Sequence, residues 1–415
     1  MSYAKSMGGS LLCAALLANA TLAHAAANPF ELLSNLAEQG VSAVLQPVKA
    51  VLQPIESQAS TEKATDRYVI IDDDVGFHNA GCVKKGYLNL FKVANPKLKP
   101  QWGALDLVRV CDHDGGVELI YALYKAQMDP SLHVLGVTTM QGTQYPEYTY
   151  QSAVDIVKRL KGQLKEPVPV FMGAPKAAAS FGERTPAVDF IIKTVMANPG
   201  KVEIIASGPL TNVATAVMLE PRLPHMWKQL YVAGMGNFLN ELVPGYHYLG
   251  DLQGVPEMNA NGDVRAAQYM VEHQHNTTWF SGEASEVHPW GICMKDWQTI
   301  SNAGFLKFNF QSYVARELLP WQLLVAIAGP YTSWKDGCGN DSGATQIALW
   351  LYPELRGKSV VSAVDVIVHP TRKDGSYAEA LSQNPNKPKV PIYYTVQGDW
   401  SKVKDEVMKS LLYFK

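Results

Sequence analysis

The chain is poor in charge, in cysteine and in long apolar runs. Charged residues make up 18% of its 415 residues, and the formal net charge is −2. A balance this even lacks the basic excess that nucleic acid or an anionic membrane surface would select, so neither is expected as a partner. After the first 25 residues no segment reaches the roughly eighteen uninterrupted apolar residues of a membrane span, so no span is expected in the mature chain. There is no internal repeat of solenoid type and no low-complexity tract, which excludes a repeat array. Only five cysteines are present, and their wide spacing matches no zinc signature.

What is present begins with a leader. Lys5 supplies a positive start, Leu11 to Leu22 an apolar stretch, and Ala23-His24-Ala25 a small-x-small cleavage site. Residues 1–25 are therefore read as a signal peptide, and the mature chain as exported, periplasmic or secreted. Cys13 leaves with the leader. Cys82, Cys111, Cys293 and Cys338 remain and allow three pairings; a disulfide is expected among them, with Cys111 the best candidate for a plain core residue. Residues 26–66 carry apolar positions at helical spacing, interrupted by Pro47 and Pro54, and then a polar stretch. They are read as a helical arm and linker. Residues 67–415 form the main domain, with 80–104 as a surface insertion.

From residue 105 onward, strand and helix patterns alternate. Strands are expected at 107–111, 133–137, 168–172, 202–206, 230–232 and 392–396. Helices are expected at 117–128, 150–160, 188–196, 211–219, 264–273, 304–318, 343–351 and 400–413. This alternation predicts an α/β fold with a mostly parallel central sheet flanked by helices, an open Rossmann-like sheet. In such sheets ligands sit beyond the carboxyl ends of the strands.

Polar clusters fall at those ends. They are Asp112, Asp114 and Glu118; Thr143; the turn Ser207-Gly-Pro-Leu-Thr-Asn212; Glu257 and Asn259 in a long loop; and Asp341 before a helix. Carboxylates brought together repel one another unless a cation neutralises them. A hard cation such as Ca²⁺ does so with oxygen ligands, and can hold a water for attack while a neighbouring Asp takes its proton. Without further context, Asp112 and Asp114 could be a helix cap pair, and Ser207-Gly208-Pro209 is as readily a tight turn.

Taken in order, these segments resemble the inosine/uridine-preferring nucleoside hydrolase family. Asp112-His-Asp-Gly-Gly-Val-Glu118 is similar to its Asp-x-Asp-x-Gly-x-Asp-Asp signature. Thr138-Thr-Met-Gln-Gly-Thr143 is similar to its Thr-Thr-x-x-Gly-Asn strand end, and Ser207–Asn212 to its Thr-Gly-Pro-Leu-Thr-Asn turn. Pro256-Glu-Met-Asn259 with Asp263-Val-Arg-Ala-Ala267 is similar to its Glu-Phe-Asn and Asp-Pro-Glu-Ala-Ala segment. The best match runs over 105–415. The resemblance implies cleavage of the N-glycosidic bond of ribonucleosides, with Ca²⁺ as cofactor and a small-molecule nucleoside as partner. It implies Asp114 as general base. It implies Asp112, Asp114, the Ser207 carbonyl and Asp341 (alternatively Asp336) at the metal, and Glu118, Thr143, Glu257 and Asn259 at the ribose.

The chain also departs from the family pattern. Leu119 replaces the second Asp of the pair, Glu118 is one methylene longer than Asp, Thr143 replaces Asn, and Asn340 stands where many members carry His. Earlier, a strand is expected at 67–71, and the stretch that follows it, Asp72-Asp-Asp-Val-Gly-Phe-His-Asn79, fits the same signature. It is read either as an accessory element or as the true first strand; spacing to Thr138 favours the later copy. Two alternatives stand beside the hydrolase: a phosphatase of the haloacid dehalogenase type, which Gly337-Cys-Gly-Asn-Asp341 resembles, and a non-catalytic nucleoside-binding protein on a decayed hydrolase scaffold. The nucleobase and the oligomeric state, a homo-oligomer included, stay open.

Overall fold

Burial on both faces sets the central strands. In the computed structural model, β1 (Arg67–Asp73) carries Val69, Ile70 and Ile71, none of them exposed. Successive side chains of a strand point to opposite faces. Accordingly Val69 and Ile71 join one apolar cluster and Ile70 joins the other. The structure describes residues 66–77, 113–142, 144–176, 180–234, 258–282, 284, 290–304, 307–328, 338–339, 341–370, 377–383, 386 and 389–415. The expected leader, the expected arm up to residue 65, the expected insertion 80–104 and the expected strand 107–111 lie outside the described residues.

The remaining strands are β2 (Leu132–Thr139), β3 (Val170–Met172), β4 (Val202–Ala206), β5 (Gln229–Val232), β6 (Thr277–Phe280), β7 (Ile292–Cys293), β8 (Cys338–Gly339), β9 (Ser359–Pro370), β10 (Tyr377–Gln383) and β11 (Lys389–Tyr393). Eight of them join β1 in one nine-stranded sheet, in the order β10-β9-β11-β6-β5-β4-β1-β2-β3. From β3 to β11 every neighbouring pair is parallel, and β9 and β10 close that edge antiparallel. β7 and β8 form a separate antiparallel pair. Sheets of this kind need helices on both faces. One face is covered by α1 (Asp114–Met128), α2 (Pro146–Leu160), α9 (Ser342–Leu351) and α10 (Ser401–Tyr413). The other is covered by α3 (Pro186–Ala197), α4 (Thr211–Leu219) and α6 (Val264–His273). Three further helices, α5 (Met258–Gly262), α7 (Met294–Gly304) and α8 (Phe310–Ala328), complete the set. Among the described residues no helix is long and apolar enough to cross a membrane.

The expected α/β class is therefore the observed one, with three corrections. First, the strand beside Thr138 is β1: Asp72 pairs with Thr138 on one side and Ala206 on the other. The earlier acidic stretch, not the later copy, ends the central strand. Second, the helix expected at 304–318 is α8, which starts later, at Phe310, and α7, which ends at Gly304, was not expected. A Cβ on Gly304 would collide with the Ser312 backbone, so the chain turns there. Third, β6, β7, β8, β9 and β10 were not expected. The order β3-β2-β1-β4 also locates the switch point: the chain leaves β1 in one direction toward β3 and returns to β4 on its other side. Ligand crevices open at that point, beyond the carboxyl ends of β1 and β4.

Cys293 and Cys338 form a disulfide across β7 and β8, with a sequence separation of 45; Cys13, Cys82 and Cys111 lie outside the described residues. A loop of that length removes about 4 kcal/mol of chain entropy from the unfolded state. The double variant Cys293→Ser/Cys338→Ser should lower unfolding free energy by roughly that amount, read as a lower urea midpoint. Reductant should shift the wild type to the same midpoint and leave the variant unmoved. A midpoint indifferent to both changes would show that the cross-link contributes no stability.

Candidate functional site at the switch point

Asp72 is the fixed point of this region. It is fully buried, and its Oδ1 accepts from Thr138 Oγ1 at 2.6 Å and from Asn212 Nδ2 at 2.9 Å. Burial outweighs these two bonds and pushes its carboxyl up to about 7. Asp74 follows two residues on. A Cβ on Gly142, in the loop after β2, would collide with its carboxylate, and one on Gly208, after β4, would lie 2.8 Å from its backbone nitrogen. Only glycine lets these two loops close on Asp74 from either side.

The N-termini of α1 and α9 bring further acids. Asp341 caps α9, its Oδ1 accepting from Ala344 N at 2.8 Å. Asp114 opens α1 and crosses to α9, where its Oδ2 accepts from Ser342 Oγ and from Gly343 N. Glu118, one turn into α1, accepts at Oε1 from Ser207 Oγ at 2.8 Å. The Ser207 carbonyl in turn accepts from Asn259 Nδ2 of α5 at 2.7 Å. The structure thus gathers Asp114, Glu118, Ser207, Asn259 and Asp341, together with Asp74. Asp112, Thr143, Glu257, Asp336 and Asn340 lie outside the described residues.

This cluster carries more negative charge than its surroundings compensate. Glu118 is pushed well above the ordinary carboxylate range, first by burial and then by Asp114, Asp341 and Asp74, against the Ser207 bond. Asp341 is pushed up by burial and by Asp114. Glu118 Oε2 and Asp341 Oδ2 are buried without a hydrogen-bond partner. Such oxygens call for a proton or a cation. The donor set is all oxygen, which suits a hard cation. As the side chains stand, though, no group of three or more His, Cys, Asp or Glu among the described residues is placed to hold an ion.

Three contributors carried no expected role. Asn212 bonds both Asp72 and the Thr139 carbonyl; it stood in the quoted turn, so its signal was in plain view. His113 is buried with its Nε2 4.0 Å from Asp341 Oδ2 and its ring against Trp321. Burial pulls it down to about 4, against the pull of Asp114. The approach of His113 to Asp341 joins residues far apart in the chain, and no spacing rule could have found it. Leu119 is fully buried in the apolar cluster under α1.

Comparison with known proteins agrees with this geometry. The profile of the family described as inosine-uridine preferring nucleoside hydrolase matches residues 110–402, more than half of the 415-residue chain. An inosine-uridine preferring nucleoside hydrolase of Leishmania major is 28% identical over 193 residues, 41% of this chain and 58% of that protein. The chain thus spans somewhat over half the length of the curated relatives it matches. Among solved structures, a plant nucleoside hydrolase superposes with a TM-score of 0.58 at 19% identity, covering 83% of this chain and 99% of the other. A purine-preferring ribonucleoside hydrolase from Gardnerella vaginalis gives a TM-score of 0.57 at 16% identity over 84% and 98%. At such identities the structural likeness speaks for the fold. The extent of the profile match speaks for more: the chain belongs to the inosine-uridine preferring nucleoside hydrolase family.

Proposed function

We propose that the chain hydrolyses the N-glycosidic bond of ribonucleosides, releasing free base and ribose. One observation carries the reading: buried acids from β1, α1 and α9 converge at the switch point with oxygens left over. Family membership supports it. Departure of the base leaves an oxocarbenium-like ribosyl centre, and fixed carboxylates around the sugar stabilise that developing positive charge. A bound divalent cation, calcium in this reading, would neutralise the cluster and lower the pKa of a water held there. Asp74, Asp114, Asp341 and the Ser207 carbonyl are the groups that would hold it, with Asp112 from outside the described residues.

The sequence pattern made Asp114 the general base. Geometry favours Asp74 instead. Asp74 directly follows the central strand and lies between the two glycine loops at the switch point; Asp114 opens α1 and faces the first turn of α9. In this reading Asp74 takes the proton from the attacking water, and Glu118, Thr143, Glu257 and Asn259 surround the ribose. Ser207 orients Glu118 through its hydroxyl and Asn259 through its carbonyl.

The activity is tested by release of free base and reducing sugar from inosine and uridine, with and without Ca²⁺. Asp74→Asn should lower turnover by roughly 10²–10⁴-fold, the span of a lost general base, while circular dichroism shows the fold intact. Unchanged turnover in that variant, with a large loss in Asp114→Asn, would return the base role to Asp114. Phosphate released from p-nitrophenyl phosphate, with no base released from nucleosides, would favour the phosphatase. Nucleoside bound in calorimetry without base release at excess Ca²⁺ would leave a binding protein.

The same cluster sets a pH dependence. Asp72, Glu118 and Asp341 all have raised folded-state pKa values. The cation-free native state therefore keeps protons that the unfolded chain, titrating near 4, has released. Stability of the cation-free protein should be greatest near pH 4 as far as these groups decide it. It should decline as pH rises through about 7, where Asp72 titrates. A cation competes with those protons, so Ca²⁺ should bind more tightly at pH 8 than at pH 6 and displace protons as it binds. Calorimetry in two buffers of different ionisation heat reads both. Equal affinity at the two pH values with no proton release would refute this account of the cluster.

A further inference from the structure

At the opposite end of the sheet, where β5 and β6 begin, two histidines meet. His225 ends a 3₁₀ turn, Leu223–His225, and His275 lies two residues before β6. Their ring centroids are 4.2 Å apart and their planes are inclined by 46°. Both residues are exposed, and among the described residues neither ring is hydrogen-bonded or ion-paired to another side chain. The backbone beneath them is held. Trp227 Nε1 donates to the His275 carbonyl at 2.7 Å, Leu230 N to the Asn276 carbonyl at 2.8 Å, and His225 N to the Arg222 carbonyl at 3.0 Å.

We propose that His225 and His275 together bind one borderline transition-metal ion of the Zn²⁺, Ni²⁺ or Cu²⁺ class. Metal–imidazole bonds of about 2.0–2.1 Å place the centroids of two rings on one ion roughly 4.5–5 Å apart. The observed centroid separation of 4.2 Å lies within about 1 Å of that range. Imidazole ligands select this class over the hard cations, so the site is chemically separate from the carboxylate cluster. His273, close in sequence, is not a third ligand: among the described residues no group of three His, Cys, Asp or Glu is placed to hold an ion, and the His273 ring is stacked on Tyr269. Water completes the coordination. The bound ion clips the turn before β5 to the turn before β6, and so stabilises the folded state by linkage.

Nickel is the probe. Full-length chain without an affinity tag is titrated with Ni²⁺ at neutral pH, as wild type, His225→Ala, His275→Ala and His273→Ala. The wild type should bind one ion whose affinity falls at least tenfold in each of the first two variants and is retained in the third. Its thermal midpoint should rise with Ni²⁺, while those of His225→Ala and His275→Ala should not. Because both side chains are exposed, the variants should fold, and circular dichroism checks this. A mutation-free reading is protection of both rings from diethyl pyrocarbonate by Ni²⁺, located by peptide mass. Equal affinity and stoichiometry in wild type and both variants, or loss in one of the two alone, would overturn the proposal. Nucleoside hydrolysis does not enter the test.

Discussion

A charge-bearing group at the end of a buried strand has to be answered by its neighbours, and Asp72 shows how. Its Oδ1 takes one bond from β2, through Thr138, and one from α4, through Asn212. Asn212 then bonds the Thr139 carbonyl, and its own Oδ1 accepts from Ala174 N after β3. One carboxylate thereby fixes β1, β2, α4 and the chain leaving β3 relative to one another. Removing a single partner would leave a buried polar group unmet, at a cost of about 1–3 kcal/mol or more. The rest of the site hangs from this anchor, because Asp74 can sit between the Gly142 and Gly208 loops only if the strands bearing those loops are in register.

The second constraint is electrostatic. Acids gather where α1 and α9 both begin. Helix N-termini present unpaired N–H groups and a partial positive charge, and Asp341 and Asp114 each satisfy part of the first turn of α9. That support is incomplete. Glu118 and Asp341 each keep one oxygen unbonded, and both are driven above the ordinary carboxylate range. A stable fold carries such a deficit more readily where a bound species can relieve it. The tension sits at the switch point, and the strand end beneath shares it, since Asp72 Oδ2 is also buried without a hydrogen-bond partner.

Much of this was legible in the sequence, for physical reasons. Parallel strands buried on both faces read as short apolar runs, so β2, β4 and β5 could be placed to within a few residues. The acids at strand ends and helix starts stood out because so little of the chain is charged. What failed was the choice between the two acidic stretches. Asp112–Glu118 has the family spacing to Thr138 because α1 runs directly into β2. The strand that hydrogen-bonds to Thr138 lies upstream of residues 74–113. Sequence distance cannot report a hydrogen-bond register. The profile match has the same blind spot, since it begins at residue 110 and leaves β1 out. β6 went unread because four residues, Thr277–Phe280, carry too little pattern to stand out from a mixed stretch.

Leu119 sharpens the point. By the family pattern it replaces an acid, and taken alone it suggests a site that has lost charge. The structure gives the position another use: Leu119 is fully buried and packs in the cluster between the sheet, α1 and α9. A carboxylate there would have to be desolvated inside that cluster. Meanwhile β1 ends in two consecutive acids, Asp72 and Asp73, and a third, Asp74, follows it directly. Asp73, only 3% exposed, lies against the start of α1 so closely that a Cβ on Gly115 would collide with its carboxylate. Negative charge is therefore delivered to the N-terminus of α1 from the strand beneath it, while the helix spends position 119 on packing. A substitution read along the chain as a loss becomes, across the sheet, a change in which element supplies the acid.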